Sequence, residues 1–285
     1  MSQVSEAPYM SVVTTVLNDL EGLKRTINSV KSQDVIIEHI VIDGGSASNL
    51  VEFLSTIETA PNQFNWTSGR DQGIYDGMNK GLELATGDVV VFLNAGDEFS
   101  NTSVARSVIE SYSVNNWEWA AGIAVRRSES GEFVSTWEYM KADLGGLALG
   151  VYTFCHQAVF YSRRLLVKIG PYKIDNFAAD HLLNVKACKY ASPWIIPSVT
   201  TFFYNGGASS QKPFRAYRKD LRRIRIEEDL LIGNSKMTDF LFSYLVVVSI
   251  YISGGFGRVI RLSARLVNLS KVYRLNKIFR RIEMS

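Results

Sequence analysis

Several features that mark particular protein classes are missing from this sequence of 285 residues. Its two cysteines, Cys155 and Cys188, are too few for a disulfide framework or a cysteine-based zinc cluster, and their apolar neighbours favour buried structural thiols. The first residues lack the basic-then-apolar pattern of a secretory signal, so we expect a cytoplasmic location. The apolar run at 240–252 has 13 residues, fewer than the roughly 20 that a membrane-spanning helix needs.

The charge of the chain is unevenly distributed. Residues 211–285 contain 16 lysines and arginines against six acidic residues, a net charge of +10, whereas residues 1–210 carry a net charge of −7. The hydrophobic share of 46% and the charged share of 21% are typical of a globular protein with a sizeable core. We therefore predict a folded domain over 1–210 and a basic appendage over 211–285.

Strand and helix patterns alternate along the first hundred residues. Apolar runs predict buried strands, and residues such as Leu23, Ile27 and Val30 line one face of a helix between two of them. This alternation predicts an α/β fold with a mostly parallel sheet and right-handed crossovers. The predicted strands are 10–17, 36–42, 64–67, 89–93, 117–125, 133–137 and 194–204, and helices are expected over 162–169 and 178–190 among others.

The most informative stretch runs from residue 71 to residue 97. Ile74, Met78, Leu82 and Ala85 share one face of a predicted helix, and Gly87 is expected to cap its C-terminus with positive φ. The apolar strand 89–93 follows. It ends near Asp97, at the carboxyl edge of the sheet, which is the edge where open α/β sheets bind ligands.

These motifs resemble family 2 glycosyltransferases, enzymes with the GT-A fold that move a sugar from a nucleotide donor. The likeness covers residues 10–97 and is strongest to the bacterial polysaccharide and lipopolysaccharide branch, of the colanic-acid type. It rests on Asp71-Gln-Gly-Ile-Tyr-Asp-Gly-Met-Asn-Lys-Gly81 followed by Phe92-Leu-Asn-Ala-Gly-Asp97. The resemblance implies a GT-A fold with a nucleotide-binding half over 1–97, an acceptor half over 98–210 and a helical C-terminal extension.

The resemblance also implies the residues that bind a UDP- or GDP-sugar. Asp43, at the end of the second predicted strand, would contact the nucleobase, although a plain strand-ending turn is the alternative. Asp76 is equally typical of the first turn of a helix. The donor-binding residues implied are Thr15, Asn18, Asp43, Gly44, Arg70, Asp71, Asp76, Asn79, Asn94, Ala95 and Gly96.

Asp97 is the candidate metal ligand. Mg²⁺ and Mn²⁺ prefer hard oxygen ligands and can bridge the donor phosphates. The sequence departs from the family here, because Asn94 and Gly96 stand where acidic residues are common. The departure weakens the expected metal site without excluding it, and a capping aspartate in a turn is the alternative.

Asp180 is the candidate catalytic base of an inverting transfer, which needs a carboxylate to take the proton of the acceptor hydroxyl. The resemblance places this base at the start of a helix, as in Ala178-Ala-Asp-His181. An ordinary helix-start carboxylate is the alternative. His156 and Gln157 are expected to contact the acceptor or the donor sugar, unless His156 is a core histidine. The Gly-Gly-Ala-Ser segment at 206–209 resembles a loop that closes over the diphosphate, or it is a plain connector.

The basic C-terminal part combines charge with apolar residues. Arg258, Arg261 and Arg265 alternate with aliphatic side chains, a pattern typical of an interfacial helix. This combination favours an anionic membrane surface over nucleic acid, and we expect a peripheral location on the inner face of the cytoplasmic membrane. A helical hairpin that forms a homo-oligomer is the alternative.

Together these features predict an inverting, metal-dependent hexosyltransferase that builds cell-surface polysaccharide on a glycan or lipid-linked acceptor. A non-catalytic nucleotide-sugar-binding or scaffolding subunit of a membrane assembly is the alternative from another class. A nucleotidyltransferase is less favoured, because no glycine-rich loop with lysine or arginine follows the first strand.

Overall fold

The computed structural model describes residues 9–58, 63–128, 130–137, 143–150, 153–175, 178–204 and 214–252. The described strands are β1 Met10–Val16, β2 Ile37–Asp43, β3 Phe64–Ser68, β4 Val89–Phe92, β5 Glu98–Phe99, β6 Trp119–Arg127, β7 Phe133–Trp137, β8 Val159–Ser162 and β9 Trp194–Tyr204. The described helices are α1 Leu20–Lys31, α2 Ser48–Ser55, α3 Ile74–Leu84, α4 Val104–Asn115, α5 Leu144–Leu149, α6 Arg163–Ile169, α7 Ala179–Tyr190, α8 Phe214–Glu227 and α9 Lys236–Ile252. Short 3₁₀ helices lie at His156–Ala158 and Ile232–Asn234.

One sheet organises the described strands in the order β3-β2-β1-β4-β8-β6-β9-β5, with β7 paired to β6. β1 pairs in parallel with both β2 and β4, and β2 pairs in parallel with β3. β8 is antiparallel to β4 and to β6. The predicted α/β fold is confirmed, with its parallel half at the N-terminus and a mixed half beyond residue 97.

The parallel half is held together by apolar side chains from both layers. β1 and β2 are buried along their whole length, as expected for strands covered by helices on both faces. Leu23 and Ile27 of α1 and Leu50 and Leu54 of α2 pack with Val41 of β2 in one core cluster. The helix face predicted from the spacing of apolar residues is therefore the face that covers the sheet.

The predicted role of Gly87 as a helix cap is wrong. α3 ends at Leu84, its C-cap Ala85 is extended, and Gly87 does not have positive φ. The backbone of Gly87 instead lies against β1, where an added Cβ would be 2.6 Å from Oγ of Ser11. Its N–H donates to that same oxygen at 2.8 Å. The glycine is required for close approach of two backbones.

The chain divides into two compact units. The first comprises Met1–Lys141, Phe154–Asp175 and Pro193–Ser210 and contains the sheet. The second comprises Ala142–Thr153, Asn176–Ser192 and Gln211–Ser285, and its described elements are α5, α7, α8 and α9. The domain boundary near residue 210 stays a prediction, and the contacts group two earlier segments with the C-terminal part.

Two further expectations concern the cysteines and the C-terminal part. Cys155 and Cys188 are both buried and unbridged, which confirms the structural reading of the thiols. Within the described residues, no helix has the length and apolar character needed to cross a bilayer. The predicted loop at 206–209 and the amphipathic arginine pattern at 258–265 lie outside the described residues.

Candidate active site

Asp43 ends β2 with a fully buried side chain. Its carboxylate accepts the backbone N–H of Ser46 at 3.1 and 3.2 Å and the hydroxyl of Ser68, at the end of β3, at 2.6 Å. Two adjacent loops therefore fix this carboxylate at the carboxyl edge of the parallel strands.

The next group gathers around Asp71, between β3 and α3. An added Cβ on Gly44 would lie 2.7 Å from Oδ2 of Asp71, and one on Gly77 would lie 3.3 Å from the same oxygen and 3.0 Å from Cγ2 of Thr15. Asp71 also accepts the N–H of Gly73 at 3.0 Å. The fold thus brings together Thr15, Gly44 and Asp71, three predicted donor residues that are far apart in sequence.

Asp76 and Arg70 have local roles at the start of α3. Asp76 accepts the N–H of Gln72 at 3.0 Å and pairs with Lys80 at 3.1 Å. The backbone hydrogen bond from Gln72, followed by the bond from Lys80, lowers the pKa of Asp76. The carbonyl of Arg70 accepts Nζ of Lys80 at 3.4 Å. These contacts match the helix-start alternative for Asp76.

Asn79 bonds to the backbone of a distant segment. Its Nδ2 donates to the carbonyl of Tyr172 at 2.9 Å, and its Oδ1 accepts the N–H of Tyr172 at 2.8 Å. The ring of Tyr172 stacks on Tyr75 with centroids 5.4 Å apart and meets Phe92 edge-on at 5.0 Å. Asn79 therefore fastens α3 to the segment after α6, a contact that sequence spacing does not reveal.

Asn18 joins the loops that follow β1 and β2. It has a left-handed backbone with φ of 54°. Its N–H donates to the hydroxyl of Ser46 at 2.7 Å, and its side-chain oxygen accepts the N–H of Ala47 at 3.0 Å. Ala47 is the residue just before α2, so the amide oxygen of Asn18 already has a backbone donor at the start of that helix.

The 94–97 loop is anchored by β1 and α1. Asn94 accepts the hydroxyl of Thr15 at 2.8 Å, and its Nδ2 lies 2.9 Å from Nε2 of His156. The N–H of Ala95 donates to the carbonyl of Thr15 at 3.1 Å. Thr26 accepts the N–H of Gly96 at 3.0 Å, and Gly96 has a φ of 98° that favours glycine. Asn94 and Gly96 thus shape the loop instead of adding negative charge.

Asp97 is the most perturbed carboxylate of this edge. The residue is only 7% exposed, and its Oδ2 accepts Nε2 of Gln157 at 2.9 Å. Burial raises the pKa of Asp97 to about 7, while the hydrogen bonds from Gln157 and the Tyr204 backbone and the charge of Arg25 oppose the rise. A group that titrates near neutrality at a ligand-binding edge is a candidate functional group.

Gln157 is held at both ends of its side chain and at its backbone. Its Oε1 accepts the thiol of Cys155 at 3.0 Å, and its carbonyl accepts the hydroxyl of Thr201 in β9 at 2.9 Å. The carboxamide is therefore oriented to present its NH₂ group to Asp97. The predicted His-Gln pair does lie just before a strand, β8, but Gln157 contacts Asp97.

Two neighbours of Asp97 escape sequence reasoning. The hydroxyl of Tyr204 donates to Oε1 of Glu98 at 2.5 Å, and the guanidinium of Arg25 lies 4.4 Å from the centroid of the Tyr204 ring. Tyr204 is the last described residue of β9, and Arg25 lies on α1. The pairing of β5 with β9 brings Tyr204 to Asp97, and the packing of α1 against β5 brings Arg25 there.

Asp180 lies in the second unit, in the first turn of α7. Its Oδ1 accepts the N–H of His181 at 2.8 Å. His181 is buried and lies 2.8 Å from the carbonyl of Leu147, and burial lowers the pKa of its imidazole. The predicted helix start is confirmed, and the catalytic role of Asp180 stays a prediction.

A divalent metal would find a sparse set of ligands at Asp97. Among the described residues, no three histidines, cysteines or acidic residues are grouped so that they could hold a metal ion. Mg²⁺ is commonly held by one or two carboxylates, with substrate phosphates and water completing the shell. A single carboxylate such as Asp97 would suit an ion of that kind, and not a metal held by protein ligands alone.

The chain is similar to proteins of known family. Residues 11–168 match glycosyl transferase family 2. An uncharacterised glycosyltransferase of Mycobacterium tuberculosis is 34% identical over 238 residues, which cover 78% of this chain and 84% of that protein. A PGL/p-HBAD biosynthesis glycosyltransferase of Mycobacterium bovis is 31% identical over 196 residues, 67% of this chain and 73% of that protein.

Solved structures share the fold at low identity. TarS 1-349 of Staphylococcus aureus in complex with UDP-GlcNAc superposes with a TM-score of 0.60 at 15% identity, covering 77% of this chain and 66% of that one. The mannosyltransferase PcManGT of Pyrobaculum calidifontis, in complex with GDP-Man and Mn²⁺, gives a TM-score of 0.55 at 16% identity, covering 99% and 82%. Because the family match covers more than half of the chain and a relative is 34% identical over most of it, this protein belongs to glycosyl transferase family 2.

Proposed function

We propose that this protein transfers a hexose, with inversion at the anomeric carbon, from a UDP- or GDP-sugar to a glycan or lipid-linked acceptor in the biosynthesis of cell-surface polysaccharide or lipopolysaccharide. The observation that carries the proposal is the row of carboxylates Asp43, Asp71 and Asp97 at the carboxyl edge of the parallel strands. Asp43 and Asp71 each accept a backbone N–H from their own loop, and Asp97 accepts the side-chain amide of Gln157. Such an edge is where α/β sheets bind nucleotides.

The donor is placed by residues of the first unit. Asp43 offers a buried acceptor for an N–H of the base, and Gly44 and Gly77 allow the Asp71 carboxylate to pack closely against the backbone at this edge. Thr15 and Asn94 are joined by a hydrogen bond, which links the end of β1 to the 94–97 loop beside this site. The complexes of TarS with UDP-GlcNAc and of PcManGT with GDP-Man support a nucleotide-sugar as the ligand class.

Asp97 has the chemistry for the diphosphate end of the donor. We propose that it binds Mg²⁺ or Mn²⁺, which when bound neutralises negative charge on the departing diphosphate. Gln157 orients this carboxylate by a hydrogen bond of 2.9 Å, and Asp97 would hold the ion. Because burial raises the pKa of Asp97 to about 7, its carboxyl group must lose its proton before it can hold a cation.

Asp180 is the proposed general base. Its carboxylate removes the proton of the acceptor hydroxyl as that oxygen attacks the anomeric carbon, the bond to the diphosphate breaks, and no covalent sugar intermediate forms. Its place in the first turn of α7 supports the role, because the family resemblance puts the general base at the start of a helix.

A panel of UDP, GDP and their sugars, each with and without Mn²⁺, tests the proposal through thermal unfolding. A ligand that binds the folded state raises the melting temperature by mass action, so no acceptor is needed. We expect one nucleotide series to stabilise the protein, more strongly with Mn²⁺, and Asp97→Ala to lose only the metal-dependent part.

No stabilisation by any nucleotide would overturn the donor assignment. Stabilisation without release of nucleoside diphosphate, when lipid-linked and soluble glycan acceptors are supplied, would favour the non-catalytic alternative. That alternative draws its support from Asn94 and Gly96, which replace acidic residues common in the family.

A further inference from the structure

We propose that one surface of the second unit docks on a bilayer that contains anionic phospholipid. This docking face consists of an apolar stripe on α9 (Met237, Phe240, Leu241 and Tyr244) and a basic flank on α8 (Lys219, Arg222 and Arg223). The inference concerns the location of the protein and does not depend on the proposed reaction.

The apolar stripe occupies one side of α9. Its members are spaced by three, four and seven residues, which places them on the same side of a helix. Met237 is 71% exposed, Phe240 49%, Leu241 54% and Tyr244 54%, whereas Asp239 and Ser243 between them are buried. Contiguous exposed apolar side chains on a folded unit mark an interaction surface.

The basic flank adjoins this stripe. The guanidinium of Arg222 lies 5.6 Å from the centroid of the Phe240 ring. A cavity of about 140 Å³ lies between Lys219, Arg222, Phe240 and Ser243. The two basic side chains could bind the phosphate of a lipid headgroup, while the aromatic ring and the apolar stripe contact its acyl chains. Long basic side chains suit this arrangement, because their charged ends reach the headgroups while their aliphatic parts cover apolar surface.

Acidic residues moderate the charge of the flank without reversing it. Arg223 pairs with Glu227 at 2.9 Å, and Asp220 lines a second cavity together with the three basic residues of the flank. Arg222 lies 3.4 Å from buried Asp239. Lys219 is exposed, and no acidic side chain of the described residues pairs with it, so it is the cation best placed to meet an anionic lipid.

A bilayer fits this face better than a second copy of the chain. Two copies joined through the stripe would bring their own basic flanks together, which costs energy, whereas an anionic leaflet attracts them. The sequence that follows α9 adds eight lysines and arginines against one acidic residue over 253–285. The apolar stripe can insert into the bilayer, a contribution to binding that basic residues alone do not provide.

The test is sedimentation of the full-length protein with vesicles of phosphatidylcholine alone or mixed with phosphatidylglycerol. We expect strong binding to the mixed vesicles, only partly released by salt. The double substitution Met237→Gln and Leu241→Gln should weaken it roughly tenfold or more, by removing two inserted side chains. Lys219→Gln should weaken it roughly fivefold, the effect of one basic residue at an anionic leaflet.

Matched controls lie in the first unit, where Val114 and Val167 are 82% and 76% exposed. Val114→Gln with Val167→Gln removes similar apolar surface and should leave vesicle binding unchanged, as should Lys168→Gln. All these positions are exposed, and circular dichroism checks that each variant is folded. Wild-type vesicle binding by the stripe variant would overturn the proposal. So would absence of vesicle binding together with a dimer, seen by light scattering, that the stripe variant abolishes.

Discussion

At the scale of single residues, the site depends on how one buried carboxylate is oriented. Asp97 is desolvated, yet Gln157 and the Tyr204 backbone both donate to it. Gln157 in turn is fixed by the Cys155 thiol and by Thr201. Gln157, which is predicted to contact a sugar, is therefore also a candidate for orienting the Asp97 carboxylate. The two roles predict different effects of mutating Gln157.

Replacing Gln157 by Leu removes a hydrogen bond that lowers the pKa of Asp97, so that pKa should rise above about 7. Metal binding requires the ionised carboxylate, so Mn²⁺-dependent binding of nucleoside diphosphate by wild type should strengthen roughly tenfold per pH unit below that pKa and level off above it. The variant should show the same curve displaced to higher pH. Calorimetric titrations between pH 5.5 and 8.5, roughly 1.5 units either side of the pKa, measure both curves. If the curve does not move and the KM for the sugar donor rises, Gln157 contacts the sugar and does not tune Asp97.

Replacing Asp180 by Asn keeps the size of the side chain and removes its basicity. Transfer should fall by roughly 10² or more, the usual effect of losing a general base, while donor binding stays nearly intact. Initial rates with a turned-over acceptor, beside calorimetric donor affinity, separate the two effects. Near wild-type turnover would remove Asp180 from the mechanism.

At the scale of elements, the packing of β4 against β1 depends on the turn that precedes β4. Glu38 accepts the N–H and the hydroxyl of Thr86, and Ser11 accepts the N–H of Gly87. These bonds fix the position along β1 at which β4 begins after α3. They therefore also determine where the 94–97 loop leaves the sheet. The apolar pattern of the strand does not contain that information.

Replacing Gly87 by Ala should destabilise the fold by about 1–3 kcal/mol, the range for overpacking a tight site. The added Cβ would lie 2.6 Å from Oγ of Ser11 and 2.7 Å from its backbone nitrogen. Gly69→Ala is the control, because nothing lies within 4 Å of a Cβ there. Urea unfolding of both variants measures the difference, and equal stability of the two would contradict the close-approach explanation.

At the scale of the whole molecule, each unit has its own organising interaction. The first is built on the sheet, whereas the second contains a buried ion pair between Arg225 of α8 and Asp239 of α9, joined at 2.8 Å and less than 3% exposed. Arg225 also donates to the carbonyl of Ala148, next to the C-terminal end of α5, at 3.0 Å, and to the hydroxyl of Ser243. One guanidinium thus joins three helices that are distant in sequence.

Replacing Arg225 by Ala leaves the Asp239 carboxylate buried without its main partner, which should cost about 3–5 kcal/mol. Arg223→Ala is the matched control, since its pair with Glu227 is largely exposed and should contribute about 0–1 kcal/mol. Denaturant unfolding of the full chain, followed by far-ultraviolet circular dichroism, measures both changes. If both variants lose a similar free energy of unfolding, burial of the Arg225–Asp239 ion pair is not what stabilises the second unit.

The sequence alone determined the family and the alternation of strands and helices. Apolar periodicity is a local property, and it correctly predicts β1, β2, β4 and the face of α1. The face predicted for α3 is only partly right, because Met78 is buried but Ile74 is 43% exposed. The motif spacing likewise led to Asp43, Asp71 and Asp97, because strand ends in a parallel sheet share one edge. Whether Asp97 binds metal and Asp180 takes a proton stay predictions.

Only the tertiary structure decided how the side chains of the site are used. Asn79 bonds to Tyr172, 93 residues away. Gln157 bonds to Asp97, and Tyr204 reaches the same carboxylate through the pairing of β5 with β9. A hydrogen bond needs two groups within about 3 Å of each other, and distance in space between remote residues is set by packing of the whole sheet. Residue type and local period cannot encode that distance, and for the same reason Gly87 was predicted as a helix cap when the close approach of β1 is what requires it.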